Sequence, residues 1–428
     1  MGKPCPTYQP KETRICNFRE VSLGFNKKIA QAEARRCPQC AVATCLSGCP
    51  LGIDIPGFIR LLREGEAVLA LERIKKENPF PAICGRICPA PCEQACVFHA
   101  DGDPIAIRGL ERFAADFGHS KSGKPHLLPQ GKKVAIIGSG PVGMSAAYFL
   151  AKMNFSVTIF EAAHEPGGLL RYAIPEFRLP QKVLDEQFSK LKWAGVEIQT
   201  DVVFGRTMMI DELFMRGFSA VLLATGASLP VFSDLPGSGL SDVYYDMEFL
   251  YRLQTTGKEN VLQAARQQGI PGPKTVIVGR GPSAFDAARL SLRLGSEVKV
   301  LLDGVEVLMP DTRRSLEQTG VDDDILKESR EEGIEILSMK VLSMLGDDSG
   351  FVRGVKCQKL DEEPIILEAQ TVIIANGRRP NAQTGMTNME KVFACGSVVT
   401  AGGSVVESIA GGKAIVQKIS QYLITMSS

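Results

Sequence analysis

The sequence predicts an α/β protein: a helical N-terminal iron–sulfur domain followed by two Rossmann-like nucleotide-binding domains, the second inserted in the first. Three observations predict it. Ten of the twelve cysteines lie in the first 96 residues. Two strand–glycine-turn–helix units, KVAIIGSGPVGMSAAYFLA (133–151) and KTVIVGRGPSAFDAARLSL (274–292), place their first glycines, Gly138 and Gly279, 141 residues apart. After the second unit the chain returns to a strand-like run, TVIIANG (371–377), and a closing segment, KVFACGSVV (391–399), the order expected of one domain set inside another.

The length of 428 residues exceeds one ordinary core and calls for two or three domains. Residues 1–125 form the cysteine-rich domain, with short helical patterns such as Ile55 to Lys75, and the polar stretch Ser120 to Gly131 reads as a linker. Residues 126–240 and 371–428 then make the first nucleotide-binding domain, and 241–370 the second. With 49 basic and 48 acidic residues there is no cationic excess to bind nucleic acid. No apolar run approaches the ~18 residues of a membrane span, and the start, Met1-Gly2-Lys3-Pro4, lacks a secretory apolar stretch. A cytoplasmic protein without membrane insertion is expected. In a reducing cytosol, crowded cysteines are more often metal ligands than disulfides.

Cys37, Cys40, Cys45 and Cys49 form C-x2-C-x4-C-x3-C, followed by Pro50; Cys84, Cys88, Cys92 and Cys96 are spaced C-x3-C-x3-C-x3-C. Soft thiolates hold iron–sulfur cubanes, close spacing lets one loop wrap a cluster, and a distant cysteine can close it. Simpler readings compete. Cys37-Pro38-Gln39-Cys40 could be a redox dithiol, but no strand precedes it; a zinc site would use two C-x2-C pairs, and the second group has none; the thiols could be merely buried.

The first turn is Gly138-Ser139-Gly140-Pro141-Val142-Gly143, and the next strand ends at Glu161, where an acid can accept ribose hydroxyls. The second is Gly279-Arg280-Gly281-Pro282-Ser283-Ala284, with Asp303 ending its next strand. A carboxylate there accepts from a 2′-hydroxyl and repels a 2′-phosphate, which predicts NAD rather than NADP, unless Asp303 is a plain turn residue. The four histidines sit in no motif, and no G-x-S-x-G or H-E-x-x-H occurs. That lack suits hydride and electron transfer, whose chemistry belongs to cofactors.

Taken together, RCPQCAVATCLSGCPLGIDIP (36–56), ICGRICPAPCEQACV (83–97), GLERF (109–113), EPGGLLRYAIPEFRLP (165–180), LLATGA (222–227), NGRRPN (376–381) and both glycine turns resemble the glutamate synthase small-subunit family of iron–sulfur flavoproteins. That family includes the flavin subunit of bacterial NAD-dependent dihydropyrimidine dehydrogenase and the large subunit of NADH-dependent ferredoxin:NADP oxidoreductase. The resemblance spans nearly the whole chain. It implies FAD, NAD(H) and two [4Fe–4S] clusters, one on Cys37, Cys40, Cys45 and Cys96, the other on Cys49, Cys88, Cys92 and Glu111, with Cys84 a bystander. It also implies FAD contacts at Gly138, Gly140, Gly143, Glu161, Gly168, Leu169, Thr225, Gly226, Gly396 and Ser397, with Arg178 near the flavin, and nicotinamide-nucleotide contacts at Gly279, Gly281, Ala284 and Asp303. Two departures stand out. Asp303, Gly304 and Glu306 replace cations usual in NADP-using relatives, which reinforces NAD. Ser397 replaces the family's closing aspartate, so FAD affinity or the flavin's potential is expected to differ.

The resulting expectation is an NAD(H)-linked electron-transfer subunit with one or more redox partner subunits that carry the substrate site. Two alternatives remain: a thioredoxin-reductase-like disulfide reductase, for which Cys357 and Cys395 lack C-x-x-C spacing, and a scaffold subunit with decayed nucleotide sites.

Overall fold

The computed structural model describes residues 5–119, 131–255, 261–303, 323–359, 362–380, 389–400 and 402–425. The linker expected at 120–131, apart from Gly131, lies outside the described residues, as do Gly304, Glu306 and Asn381.

The N-terminal domain opens with a short antiparallel pair, Thr7–Tyr8 with Ser22–Gly24. Helices Lys27–Arg36, Ile55–Glu64, Ala67–Lys75, Pro81–Ile87 and Ile107–Phe117 follow, with single turns Thr44–Ser47 and Pro91–Gln94 between them. Their ends have local causes. Asn26 Oδ1 accepts the Ile29 N–H at 3.0 Å, and Asp54 Oδ1 accepts the Gly57 N–H at 3.0 Å, each satisfying an otherwise unpaired first-turn donor. The pattern expected from Ile55 to Lys75 is two helices, because Gly65 at φ +92° turns the chain left-handed between them. Phe58, Ile59, Leu62, Ile74 and Ile83 are fully buried, each worth about 1.5–3 kcal/mol of apolar burial.

The first Rossmann-like unit is a parallel sheet ordered Val392–Ala394, Phe218–Leu223, Lys133–Ile137, Ser156–Phe160, Glu197–Gln199. The second is a parallel sheet ordered Glu335–Leu337, Glu297–Leu301, Lys274–Gly279, Thr371–Ala375, Val243–Tyr245. Each glycine turn therefore leaves the central strand of its sheet. An antiparallel sheet, Lys340–Gly346, Val352–Gln358 and Ile365–Glu368, covers one face of the second. The domain boundary expected at 370 moves: Thr371–Ala375 pairs with Lys274–Gly279, so the second unit extends through Ala375. A run buried on both faces reads the same in either sheet. Leu229–Pro230 and Arg378–Arg379, on the outgoing and returning segments between the units, pair antiparallel.

The closing helix Val405–Thr425 packs on Pro141–Lys152, the helix of the first glycine turn, and the Ser145 hydroxyl donates to the Ile409 carbonyl at 2.7 Å. The N-terminal helices share one continuous core with this unit. Among the described residues no helix is long and apolar enough to cross a membrane.

Candidate redox site

Two cavities open in the N-terminal domain, and the cysteines divide between them. The first is lined by Cys37, Cys40, Cys45 and Cys96 with Ala43, Thr44 and Val97. The second is lined by Cys49, Cys84, Cys88, Cys92, Glu111 and Asn78. Ile55 and Ile107 line both, so one layer of side chains separates them. Val406, from the closing helix of the first Rossmann-like unit, lines the second cavity.

Local structure explains the sorting. The Thr44 hydroxyl donates to the Ala95 carbonyl at 2.5 Å, which draws the segment bearing Cys96 onto the loop bearing Cys45. Gln39 and Ala90 adopt left-handed φ of +55° and +53°; the Gln39 side chain and the Ala90 backbone N–H donate to the sulfurs of Cys37 and Cys88, each at 3.4 Å. Helix Ile107–Phe117 brings Glu111 to the second cavity, where the Asn78 amide donates to its Oε1 at 2.7 Å. Asn78 is itself fixed, its Oδ1 accepting the Phe80 N–H at 3.0 Å. Cys84, expected to be a bystander, is fully buried on the same cavity wall.

Burial pushes these groups toward their neutral forms. Cys45 is raised to about 11 by desolvation and by the neighbouring thiols. Cys88 is raised to about 12 by burial and by Glu111, with Arg108 opposing. Cys92 lies higher still, and burial lifts Glu111 to about 8 against the Asn78 hydrogen bond. Iron ligation needs thiolates, so cluster binding here must release protons. A zinc ion would hold its sulfurs at about 2.3 Å. Among the described residues no three His, Cys, Asp or Glu side chains converge on such a single-ion site; the donors are spread around cavity walls. A multi-iron cluster, with a ligand per iron, fits that spread.

In the first Rossmann-like unit, a Cβ on Gly143 would lie 2.0 Å from the Gly138 carbonyl oxygen, which fixes glycine there for close helix–strand contact. Gly140 has open space instead, and a Cβ on Gly168, at φ +53°, would lie 3.2 Å from the Gly140 Cα. Leu169 begins the short helix behind Gly168. A Cβ on Gly226 would lie 3.6 Å from the Ser397 hydroxyl, so the Thr225–Gly226 and Gly396–Ser397 turns meet. Glu161 is buried, and its Oε2 accepts both the Ser139 N–H, at 3.0 Å, and the Ser139 hydroxyl. It fastens the glycine turn from below.

The second turn repeats the design. A Cβ on Gly279 would lie 2.6 Å from the Ala375 carbonyl oxygen, Gly281 has open space, and Ala284 is buried. Asp303 sits beyond the second strand, as expected, but its Oδ1 accepts the Val341 N–H at 2.9 Å. It therefore anchors the antiparallel sheet with one oxygen. Arg178 reaches the second unit: its guanidinium pairs at 2.6 Å with the buried Asp286 on helix Pro282–Arg293. Cys357 is buried beside Met339, and Cys395 lies next to Gly411; both are free thiols on different units.

Paired Rossmann-like units beside a cysteine-lined helical domain define a pyridine-nucleotide-linked iron–sulfur flavoprotein. Residues 14–122 match the family described as dihydropyrimidine dehydrogenase domain II, 4Fe-4S cluster, and residues 132–412 match pyridine nucleotide-disulphide oxidoreductase. A "Glutamate synthase [NADPH] small chain" from Mycobacterium tuberculosis is 31% identical over 99% of this chain and 94% of its own length. The "NAD-dependent dihydropyrimidine dehydrogenase subunit PreT" of Escherichia coli O157:H7 is 30% identical over 94% and 97%. The chain belongs to the glutamate synthase small-subunit family and is an iron–sulfur flavoprotein oxidoreductase subunit. Mycobacterium tuberculosis FprA in complex with NADPH has the same fold over 70% of this chain and 86% of its own, with a TM-score of 0.56 at 19% identity.

Proposed function

We propose that this subunit moves electrons between NADH and a redox partner subunit through FAD and two [4Fe–4S] clusters. Cys37, Cys40, Cys45 and Cys96 hold one cluster; Cys49, Cys88, Cys92 and Glu111 hold the other. The observation that carries the reading is the pair of cavities: two donor sets back to back, the second touching the unit of the first glycine turn through Val406.

Bound FAD would supply the exchange between a nicotinamide hydride and single electrons. The chain's own part is binding and exclusion. Gly140 and Gly168 leave room for a pyrophosphate, Ser139 and Glu161 hold the turn in shape, and Ser397 offers a neutral hydroxyl beside Gly226. Ile55 and Ile107 form a dry wall between the cavities, and Asn78 orients Glu111. Gly279, Gly281 and Ala284 form the nucleotide turn of the second unit. NAD is favoured over NADP because Asp303 places a carboxylate where a 2′-phosphate would need a cation. Its unpaired thiols suit a reducing compartment, the cytoplasm. The relatives' names, a small chain and a subunit, support a partner that carries the substrate site.

The test is anaerobic mixing of purified protein with NADH and, separately, NADPH. Flavin bleaching with NADH at a higher kcat/KM, accompanied by loss of cluster absorbance, is expected. Protein with neither iron nor flavin absorbance would refute the reading, and preference for NADPH would refute the role of Asp303.

A further inference from the structure

Arg108 ties the second cavity to the second Rossmann-like unit. Arg108 stands one residue after Ile107, which lines both cavities. Its Nη1 donates to the Cys88 carbonyl at 2.9 Å, which sets the cation against the segment that carries Cys88. Its Nη2 pairs at 2.5 Å with Asp324, on helix Asp323–Glu332 of the second unit. The Arg108 side chain is 18% exposed and Asp324 46%, so the cation is largely desolvated while its counter-ion faces water. The backbone N–H of Arg108 is also held, by Glu93 Oε1 at 2.8 Å, one residue from Cys92. Arg108 is thus fixed at both ends against the segment that bears Cys88 and Cys92.

A fixed cation beside a cluster stabilises whichever state carries the extra negative charge. When a cluster takes up one electron its charge becomes more negative by one, so Arg108 favours the reduced form. Low surrounding dielectric strengthens that preference. Asp324 opposes it. We propose that Arg108 sets the reduction potential of the cluster held at Cys49, Cys88, Cys92 and Glu111, and that Asp324 attenuates it from the nucleotide-binding unit. This rests on the assignment of that cluster. The contact gives the nucleotide unit a direct electrostatic line to the cluster without passing through the flavin. By linkage, reduction of the cluster weakens the Arg108–Asp324 pair as much as that pair disfavours reduction.

The experiment is an EPR-monitored redox titration of the full chain, purified anaerobically, as wild type, Arg108→Gln, Asp324→Asn and the double variant. Arg108→Gln lowers the midpoint of one cluster and leaves the other in place, by on the order of a tenfold change in the reduced-to-oxidised ratio, about 59 mV for one electron. Asp324→Asn raises the same midpoint. The double variant lies between the two single variants, and its departure from additivity measures the Arg108–Asp324 coupling. If Arg108→Gln fails to retain the cluster, Asp324→Asn, an exposed and conservative change, decides the matter by the same midpoint. Two clusters with unmoved midpoints in the single variants would overturn the proposal while leaving the cluster assignment standing. A wild-type protein with iron for one cluster only would overturn both.

Discussion

Gly140 and Gly143 offer a paired experiment in which the same methyl group should destabilise the fold at one position and spare it at the other. A Cβ at position 143 would lie 2.0 Å from the Gly138 carbonyl oxygen, about 1 Å inside the closest contact that real side chains tolerate. The helix Pro141–Lys152 must then lift from its strand, and overpacking of this kind costs about 1–3 kcal/mol or more. For a domain of 150–250 residues, each kcal/mol lowers Tm by about 2–4 °C. Gly140 has φ −66° and ψ −176°, an extended conformation open to any residue, with no atom within 4 Å of an added Cβ. Gly140→Ala should therefore leave the melting temperature of flavin-free protein unchanged. Its methyl would still fill open space that a pyrophosphate needs beside the turn, so FAD affinity should fall at least about tenfold. The assays are flavin content per chain, FAD titration by fluorescence quenching, and calorimetry of the stripped protein. Wild-type flavin affinity in Gly140→Ala, or an unmoved Tm in Gly143→Ala, would refute the placement of the pyrophosphate or of the helix.

Three further outcomes follow from the geometry. Glu332 is buried between Arg289 and Arg293, with oxygens at 2.6 and 2.8 Å from their guanidinium nitrogens; burial alone would raise its carboxyl, but the arginine hydrogen bonds bring it down to about 2. A depressed carboxylate contributes stability above its unfolded value near 4.5 and loses it as pH falls toward 2, on the order of 3 kcal/mol in all. Glu332→Gln should flatten that acid limb and cost about 3–5 kcal/mol at neutral pH, because buried Arg293 loses its carboxylate while Arg289 and Arg14 keep only Glu328 and Glu331; an unaltered denaturation curve would contradict this. Asp303→Asn keeps an acceptor for the Val341 N–H but removes the charge, so NADPH use should rise relative to NADH with little change in Tm, measured by kcat/KM for each nucleotide. Cys45→Ser and Cys92→Ser should each remove about half the iron, with additive loss in the double variant; loss of all iron from either would show that the cavities do not load independently.

Much of this site was legible in the chain because its signals are local. C-x2-C-x4-C, a glycine turn after an apolar run, and an acid some two dozen residues later are each read from one segment; the structure gathers Cys37, Cys40 and Cys45 with Cys96 on one cavity and sets Glu161 against Ser139 of the first turn. What stayed hidden depends on distant partners. Nothing in the run TVIIA says which of two parallel sheets it joins, since both bury their strands on both faces. Asp303 could be placed at a strand end, but not seen to hold the Val341 amide across the unit. The motif places Arg178 beside the flavin; its ion pair with Asp286 ties the turn before helix Gln181–Trp193 to helix Pro282–Arg293, 108 residues away in sequence. Asn78 gave no signal at all. A buried asparagine two residues before Phe80 is unremarkable until Glu111 is folded against it.

The central claim is that the two cysteine-lined cavities hold two four-iron clusters beside a flavin. Iron, acid-labile sulfide, zinc and FAD measured together on protein purified without oxygen test it most directly. About eight iron and eight sulfide per chain, with one FAD and negligible zinc, are expected. Stoichiometric zinc with no labile sulfide, or the same eight thiols recovered as disulfides from the anaerobic protein, would contradict it.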